Sequence, residues 1–200
     1  MDFKESPFSR RIPHIILASQ SAGRLELLKE AGCLVTVKPT YIREDHTLEK
    51  TREIVALLAE RKFKASFEQH TPPHIPLLAA DTLVDLEGEI VGKAKDEAAA
   101  RVIIGRLSGK THTVYSAYVL YLPAQGTTLR GVEESQVTFR KIKDSEIESY
   151  LATNEWRGAA GAYRVQGAAA SFIESIEGEV STVVGLPIEA ISAILEQLSF

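Results

Sequence analysis

Hydrophobic and polar residues change their spacing several times along the chain, and each change predicts a new secondary-structure element. The apolar run from Ile15 to Ala18 is too short for a helix and predicts a strand. Residues Ser19 to Gly23 form a polar turn, after which apolar residues recur at helical spacing until Gly32. The first part of the chain therefore predicts a strand, a turn and a helix in succession.

The middle of the chain predicts a helix and then a hairpin. From about Thr51 to Ala65, apolar residues recur on one helical face and charged residues occupy the other. The strongly apolar segment from Leu77 to Leu86 predicts a buried strand. A turn at Glu87-Gly88 connects that strand to a second one over Glu89 to Gly92.

The second half of the chain continues this alternation. Its predicted elements are a helix capped by Asp96 and ending at Leu107, strands at His112 to Leu122 and Val132 to Ile142, a helix opened by a Ser145 and Glu148 capping box, a strand at Phe172 to Ile176, and a last helix beginning at Pro187. Because strands and helices interleave while hairpins are also present, we predict an α/β fold with a mixed sheet.

Length and composition favour an ordinary globular protein. The chain has 200 residues and 44% hydrophobic residues, which predicts a single domain over residues 1–200, with one lobe or two. No apolar run approaches the roughly 18 residues that a membrane helix needs, so we expect no membrane partner. Residues 1–13 lack the apolar core of a secretory signal and predict a flexible or loosely packed N-terminal extension of a cytoplasmic protein.

The charge balance limits the class of partner. The chain has 27 acidic and 23 basic residues, a net charge of -4, and no basic block on which a duplex could bind. We therefore expect no nucleic-acid partner, and any polyanionic ligand must be small. The single cysteine, Cys33, excludes an intramolecular disulfide and a cysteine-rich zinc site, which fits a reducing compartment.

The polar turn after the first strand is the first candidate site. A strand that leads into a helix N-terminus directs free N–H groups at one point, where a phosphate group can bind. Ser19 and Ser21 could add hydroxyl donors, and Arg24 could hold two phosphate oxygens. The alternative is an ordinary helix that is capped by Ser21 and has Arg24 in solvent.

The second candidate is Asp81, a carboxylate inside the apolar run of the predicted strand. Burying a carboxylate without a partner costs free energy, so an aspartate at this position indicates a functional or structural role. It could ligate a metal, act as a general base, or tie down a neighbouring loop through buried hydrogen bonds.

Four further residues carry groups suited to nucleotide chemistry. The predicted hairpin returns Lys93 toward Asp81, where its ammonium could bind phosphate, although an exposed lysine is the simpler alternative. Glu44 could supply a metal carboxylate or belong to a solvated loop. Lys62 near a helix end could simply complement the helix dipole. Gln166 has the donors and the acceptor that reading a nucleobase edge requires, and a structural amide is equally compatible.

Several segments, taken in order, resemble the Maf family of nucleotide pyrophosphatases, which are related in fold to inosine triphosphate pyrophosphatases. The segments are Leu17 to Arg24, Ala80 to Val84, Gly92-Lys93, Leu107 to His112, Ala160 to Tyr163 with Gln166-Gly167, and Val183 to Pro187. The resemblance covers most of the chain. It implies a largely antiparallel central sheet flanked by helices, two lobes with a cleft between them, and a homodimer.

The resemblance also implies a reaction and assigns residues to it. The reaction is hydrolysis of a nucleoside triphosphate between the α and β phosphates with a divalent cation, Mg²⁺ or Mn²⁺. Asp81 matches the general base and, with Glu44, would hold the metal. The substrate-binding residues are Ser19, Ser21, Arg24, Lys62, Lys93 and Gln166, and the residues that match specificity positions are Gly23, Thr82 and Gln166.

This chain departs from the family pattern at three positions. Gly23 stands where the subfamily acting on dTTP and UTP has an arginine, Ala159 stands where a lysine is usual, and Ala94 replaces a proline. Arg157, Arg164 and Lys110 are candidates to replace the two missing cations. We expect a pyrophosphatase acting on pyrimidine, dTTP- or UTP-like, or modified nucleotides. The alternative is a nucleotide-binding regulator of cell division, at septum formation, with weak or no catalysis.

Overall fold

The computed structural model describes residues 6–69 and 74–198, which alternate between helices and strands as the sequence predicts. The elements are α1 (Pro7–Arg11), β1 (His14–Leu17), α2 (Ala22–Glu30), β2 (Leu34–Val37), α3 (Thr51–Gln69), β3 (Leu77–Leu86), β4 (Glu89–Val91), α4 (Glu97–Leu107), β5 (Thr111–Leu122), β6 (Thr127–Phe139), α5 (Asp144–Ala152), a 3-10 helix (Ala168–Phe172), β7 (Ile173–Glu177), α6 (Val180–Val184) and α7 (Ile188–Gln197).

The strands described here form one mixed sheet in the order β2-β1-β3-β5-β6-β7, with β4 also paired to β3. The two pairings of β1 are parallel and the other four pairings are antiparallel. The hairpin between β3 and β4 turns at Glu87 and Gly88, both with positive φ, which matches the twist of the strands. The predicted α/β fold with a mixed, largely antiparallel sheet is confirmed.

Strand β3 divides the core because its side chains alternate between the two faces of the sheet. Leu77 and Ala79 pack against α3 on one face. On the other face, Leu78 and Ala80 belong to an apolar cluster with α1, α2 and α7. Further along that same face, Val84 belongs to a second cluster with α4 and α5. The two clusters are the cores of two lobes that share the sheet.

A cleft lies between these lobes, at an edge of β3. Strand β1 pairs with β3 as far as Leu78, and β4 pairs with β3 from Val84 onward. Among the described strands, none covers this edge of β3 between those two points. Asp81 lies in the uncovered stretch, so the fold leaves room for a ligand beside the carboxylate that the sequence singles out.

The N-terminal segment differs from its prediction. A flexible or loosely packed extension over residues 1–13 is wrong for residues 6–13, and residues 1–5 lie outside the described part of the chain. Ser6 caps α1 by accepting from the backbone N–H of Ser9 at 3.1 Å. Phe8 and Ile12 are fully buried in the cluster that contains α7. Two apolar residues four apart present one helical face, and this face packs onto the lobe.

Other differences concern where elements begin and end. Helix α3 continues to Gln69, so Lys62 lies in its middle and does not complement the dipole at its end. Strand β6 begins at Thr127 instead of Val132, because the β5 hairpin pairs Leu122 directly with Thr127. Strand β2 and helix α6 are additional elements. No helix within residues 6–69 and 74–198 is long and apolar enough to cross a bilayer.

The start of α5 also lies two residues earlier than predicted. The predicted Ser145 and Glu148 capping box is wrong, since the helix begins at Asp144 with Lys143 as its N-cap. Glu146 accepts from the backbone N–H of Lys143 at 2.9 Å and from Arg140 Nη2 at 2.6 Å. Arg140 therefore selects which glutamate closes the first turn, a choice that spacing alone does not reveal.

Candidate active site

The cleft has a volume of about 650 Å³ and is lined by every residue that the sequence assigns to the site. This volume is suitable for a small organic ligand. The predicted residues that line it are Ser19, Ser21, Gly23, Arg24, Glu44, Lys62, Asp81, Thr82, Lys93 and Gln166. The structure thus brings together residues from α2, α3, β3 and the four loops that follow β1, precede α3, follow β4 and follow α5.

The turn after β1 places the N-terminus of α2 at the cleft. Ser21 is the N-cap of α2, and its Oγ accepts from the backbone N–H of Arg24 at 3.4 Å. Ser19 Oγ accepts from the backbone N–H of Ser21 at 3.2 Å. The capping role proposed for Ser21 is confirmed, and it is compatible with anion binding because the helix end faces the cavity.

Arg24 is buried rather than solvated, so the alternative with this side chain in solvent is wrong. It is 7% exposed. Its Nε donates to the carbonyl of Gly185 at 2.8 Å, its Nη1 to Ser19 Oγ at 2.9 Å and its Nη2 to Thr82 Oγ1 at 2.8 Å. Burial lowers the pKa of the Arg24 guanidinium, and the charge of Asp81 partly offsets this. The side chain is held rigidly at the wall of the cleft.

Asp81 is 6% exposed and has a charged partner. Lys62 Nζ donates to Asp81 Oδ1 and lies 3.9 Å from Glu44 Oε1. One ammonium group from α3 therefore lies between two carboxylates, one from β3 and one from the loop before α3. This pairing compensates the cost of burying the Asp81 carboxylate in the apolar strand.

Arg61 positions the loop that carries Glu44, and the sequence analysis missed this role. Its Nη1 donates to the carbonyl of Arg43 at 3.1 Å and to the carbonyl of Asp45 at 2.6 Å. These carbonyls flank Glu44 on both sides. An arginine on the charged face of a helix is ordinarily solvated, so only its adjacency to Lys62 could have indicated a role.

The opposite wall consists of the small-residue loop after α5. An isolated antiparallel bridge between Lys93 and Ala160 holds the end of β4 against this loop. Glu155 Oε2 accepts from the backbone N–H of Ala168 at 2.8 Å. A Cβ atom on Gly167 would lie 2.0 Å from Glu155 Oε2, so a larger residue there would displace this carboxylate. Gln166, next to that glycine, is exposed and lines the cleft.

The family model described as "Maf-like protein" matches residues 14–198. This chain belongs to the Maf family. It is 40% identical to a dTTP/UTP pyrophosphatase of Pyrococcus abyssi over 91% of this chain and 95% of the relative. It is 39% identical to one of Pyrococcus furiosus over 91% and 94%, and 40% identical to one of Latilactobacillus sakei over 90% and 98%.

In this Maf chain the first missing cation is at Gly23, and the side chain of Val184 occupies the space beside this residue. A Cβ atom on Gly23 would lie 2.9 Å from Val184 Cγ1. Among the candidate replacements, Arg164 lines the cleft. Arg157 instead stacks on Trp156 with its guanidinium carbon 4.4 Å from the ring centroid, and Lys110 pairs with Glu87 at 3.0 Å. Arg164 is therefore the one of the three that is placed to meet a ligand.

The oxygen donors of the cleft fit a hard cation that takes some of its ligands from the protein and the others from a bound substrate. Within the described residues there is no group of three or more histidine, cysteine or acidic side chains that could hold a metal alone. Asp81 and Glu44 supply carboxylate oxygens on either side of Lys62. Mg²⁺ is commonly bound by one or two carboxylates, with waters and substrate phosphates as the other ligands.

Proposed function

We propose that this Maf chain is a nucleoside triphosphate pyrophosphatase that cleaves the bond between the α and β phosphates. The observation that carries the proposal is the buried Asp81, paired with Lys62 in a cleft that also contains a helix N-terminus and Arg24. The relatives, named dTTP/UTP pyrophosphatases, support the same reaction. The products are a nucleoside monophosphate and pyrophosphate.

In this reaction Asp81 is the general base. It takes a proton from a water molecule whose oxygen forms a new bond to the α-phosphorus. The bond from that phosphorus to the bridging oxygen breaks, and the oxygen leaves with the pyrophosphate. Lys62 keeps the Asp81 carboxylate in place through its hydrogen bond to Oδ1.

The cationic groups of the cleft stabilise the charge that develops on the leaving pyrophosphate. Arg24 has five N–H donors and uses three of them within the described protein, which leaves two for phosphate oxygens. Lys93, which lines the cleft, has no carboxylate within 4 Å among the described residues and is available for the same purpose. The N-terminus of α2 adds N–H groups oriented toward the cleft.

A divalent cation, Mg²⁺ or Mn²⁺, would be held by Asp81 and Glu44. When bound, it neutralises charge on the phosphate oxygens. Gln166 on the small-residue loop is proposed to read the base, and the names of the relatives favour dTTP and UTP over purine nucleotides. Retention of Arg24, Lys62 and Lys93 in the cleft supports catalysis over a purely regulatory role. A cytoplasmic homodimer stays a prediction.

The test is pyrophosphate release from a panel of nucleoside triphosphates with Mg²⁺ or Mn²⁺. We expect dTTP and UTP to be hydrolysed fastest. Asp81→Asn should lower kcat by at least about 100-fold, since removal of a general base costs that much or more. Circular dichroism and thermal unfolding should show an intact fold.

Asp85→Asn is the matched control, because Asp85 lies on the same face of β3 but does not line the cleft. Its carboxylate accepts from Thr51 Oγ1 and from the backbone N–H of Gly88. This variant should hydrolyse nucleotides at nearly the parent rate. Turnover by Asp81→Asn at the parent rate would show that another residue is the base, and a parent inert toward the whole panel would refute the proposed function.

A further inference from the structure

A chain of buried hydroxyl groups runs beneath the cleft and ends at a serine that no sequence motif indicates. Ser116 on β5 is 0% exposed and lies directly opposite Thr82 on β3. Its Oγ lies 2.8 Å from Thr82 Oγ1 and donates to the carbonyl of Thr182 at 2.7 Å. A serine has one hydroxyl hydrogen, and Ser116 gives it to this carbonyl, so Thr82 is the donor in the contact between the two hydroxyls. Thr82 Oγ1 also lies 3.3 Å from the carbonyl of Gly185, a longer contact than the one to Ser116.

This direction determines what Thr82 offers to Arg24. With its hydrogen directed at Ser116, Thr82 Oγ1 turns a lone pair toward Arg24 Nη2, which donates to it at 2.8 Å. Arg24 Nε donates to the carbonyl of Gly185, three residues after Thr182. Ser116 thus fixes both the hydroxyl acceptor of Arg24 and the chain segment that provides its carbonyl acceptor.

The surroundings of the two hydroxyls show that packing alone does not require them. On the same face of the sheet, Leu78 and Ala80 of β3 lie in the cluster before Thr82, and Val84 lies in the cluster after it. A pair of apolar side chains in place of Thr82 and Ser116 would continue this core without the free-energy cost of burying two hydroxyl groups. A fully hydrogen-bonded pair of hydroxyl groups instead holds the groups around it in a single arrangement.

We infer that Ser116 is a positioning residue, which acts through Thr82 to orient the Arg24 guanidinium toward the triphosphate. The inference rests on the proposed function, since Arg24 has a phosphate to bind only if the cleft takes a nucleotide. Ser116 itself is fully buried and does not line the cleft. Thr82, predicted as a specificity residue, acts here through its contact with Arg24.

The test is Ser116→Ala. Two constants are measured for it, the Kd of a non-hydrolysable α,β-methylene triphosphate analogue and the KM of the best substrate. Both should rise about tenfold, the size of one lost net hydrogen bond. The kcat should fall by at most about tenfold, because Arg24 also stabilises the leaving pyrophosphate, against at least about 100-fold for Asp81→Asn. The smaller effect on kcat is expected because Asp81 is on the opposite face of β3 from Thr82 and keeps its contact with Lys62.

Ser135→Ala is the matched control for stability. Ser135 is a buried serine on the adjacent strand β6, and its Oγ donates to the carbonyl of Glu179 at 3.0 Å. Both serines therefore hold a carbonyl near α6, but only Ser116 contacts Thr82. Both variants should lower the Tm, and only Ser116→Ala should weaken nucleotide binding. Parent values of Kd and KM in Ser116→Ala, with a loss of Tm like that of Ser135→Ala, would overturn the inference.

A second pair of variants tests the same chain of hydroxyls should Ser116→Ala fold poorly. Thr82→Val removes the hydroxyl with little change of shape and should raise Kd and KM as Ser116→Ala does. Thr82→Ser keeps the hydroxyl and should recover most of the binding that Thr82→Val loses. The double variant Thr82→Val/Ser116→Ala should bind no more weakly than either single variant, because all three break one chain. Multiplying effects, or equal weakening by Thr82→Ser, would overturn the inference.

The experiment also separates failure of this inference from failure of the proposed function. A parent that binds the analogue but hydrolyses no nucleotide refutes the pyrophosphatase proposal, and the Kd values still test Ser116. A parent that hydrolyses the panel while Ser116→Ala binds normally refutes only the role of Ser116. A parent that neither binds nor hydrolyses nucleotides refutes both.

Discussion

Gly23 shows how a single residue in the cleft depends on its neighbour. It lies in the first turn of α2, where helix propensity alone would favour alanine by about 1 kcal/mol. A Cβ atom there would lie 2.9 Å from Val184 Cγ1 and 3.4 Å from the Val184 carbonyl oxygen. Because valine is stiff about χ1, it cannot move aside easily. Val184 therefore determines that this position accepts glycine.

Gly23→Ala should lower the Tm, because the steric cost of overpacking, about 1 to 3 kcal/mol, exceeds the gain in helix propensity. Adding Val184→Ala should remove the collision and restore much of the loss. Thermal unfolding of the single and double variants measures both effects.

Gly105→Ala is the control for the propensity effect. Gly105 lies in α4, and a Cβ atom there would meet no atom within 4 Å. This variant should raise the Tm. A rise in Tm for Gly23→Ala of the same size would show that Val184 does not restrict the position.

At the scale of elements, α3 organises the cleft through two adjacent side chains. Lys62 points to Asp81 on β3, while Arg61 holds the carbonyls on either side of Glu44. The sequence predicts the helix and its apolar face from Ile54 and Leu58, which are buried. It does not predict which loop lies against the polar side, because residues 38–50 form no regular element whose spacing could be recognised.

Arg61→Met should loosen this loop. We expect trypsin to cleave after Arg43 several-fold faster in the variant, because exposed loop segments are cut when their backbone contacts are lost. Limited proteolysis followed by mass spectrometry of the fragments measures the rate at this bond.

Lys64→Met provides the comparison on the same helix. Lys64 is largely exposed, and its one ion pair within residues 6–69 and 74–198 is with Glu60, at 3.8 Å. Such a surface pair contributes little to stability, so cleavage after Arg43 should stay at the parent rate. If Arg61→Met were cleaved no faster than Lys64→Met, Arg61 would have no role in holding the loop.

At the scale of the whole molecule, a buried histidine couples stability to pH. His112 on β5 is 2% exposed, and its Nε2 lies 2.8 Å from the hydroxyl of Tyr163. Burial lowers the pKa of His112 to about 4. Between pH 6.5 and 4 the unfolded chain therefore binds a proton that the folded chain does not, so stability falls as pH falls through this window.

The expected loss of unfolding free energy from His112 between pH 7.5 and pH 5 is about 2 kcal/mol. His112→Gln removes the titrating group and keeps an amide donor for Tyr163, so its stability should depend less on pH over this range. Urea unfolding of parent and variant at both pH values measures the difference. An identical pH dependence in the two proteins would show that His112 binds its proton equally well in the folded and the unfolded chain.

The sequence by itself determined the order of most elements, because hydrophobic spacing and turn residues are local properties of the chain. It also indicated the site, since a carboxylate such as Asp81 in an apolar strand, together with the motifs around it, restricts the chemistry that is possible. Local pattern did not reveal α1, whose burial depends on contact with α7.

Only the tertiary structure decided the partners of these residues. Asp81 pairs with Lys62, Gly23 lies directly against Val184, and Ser116 lies opposite Thr82. These pairs are separated by between 19 and 161 positions along the chain. Their contacts follow from sheet register and helix packing, which depend on the burial of many side chains at once and leave no local signal at either partner.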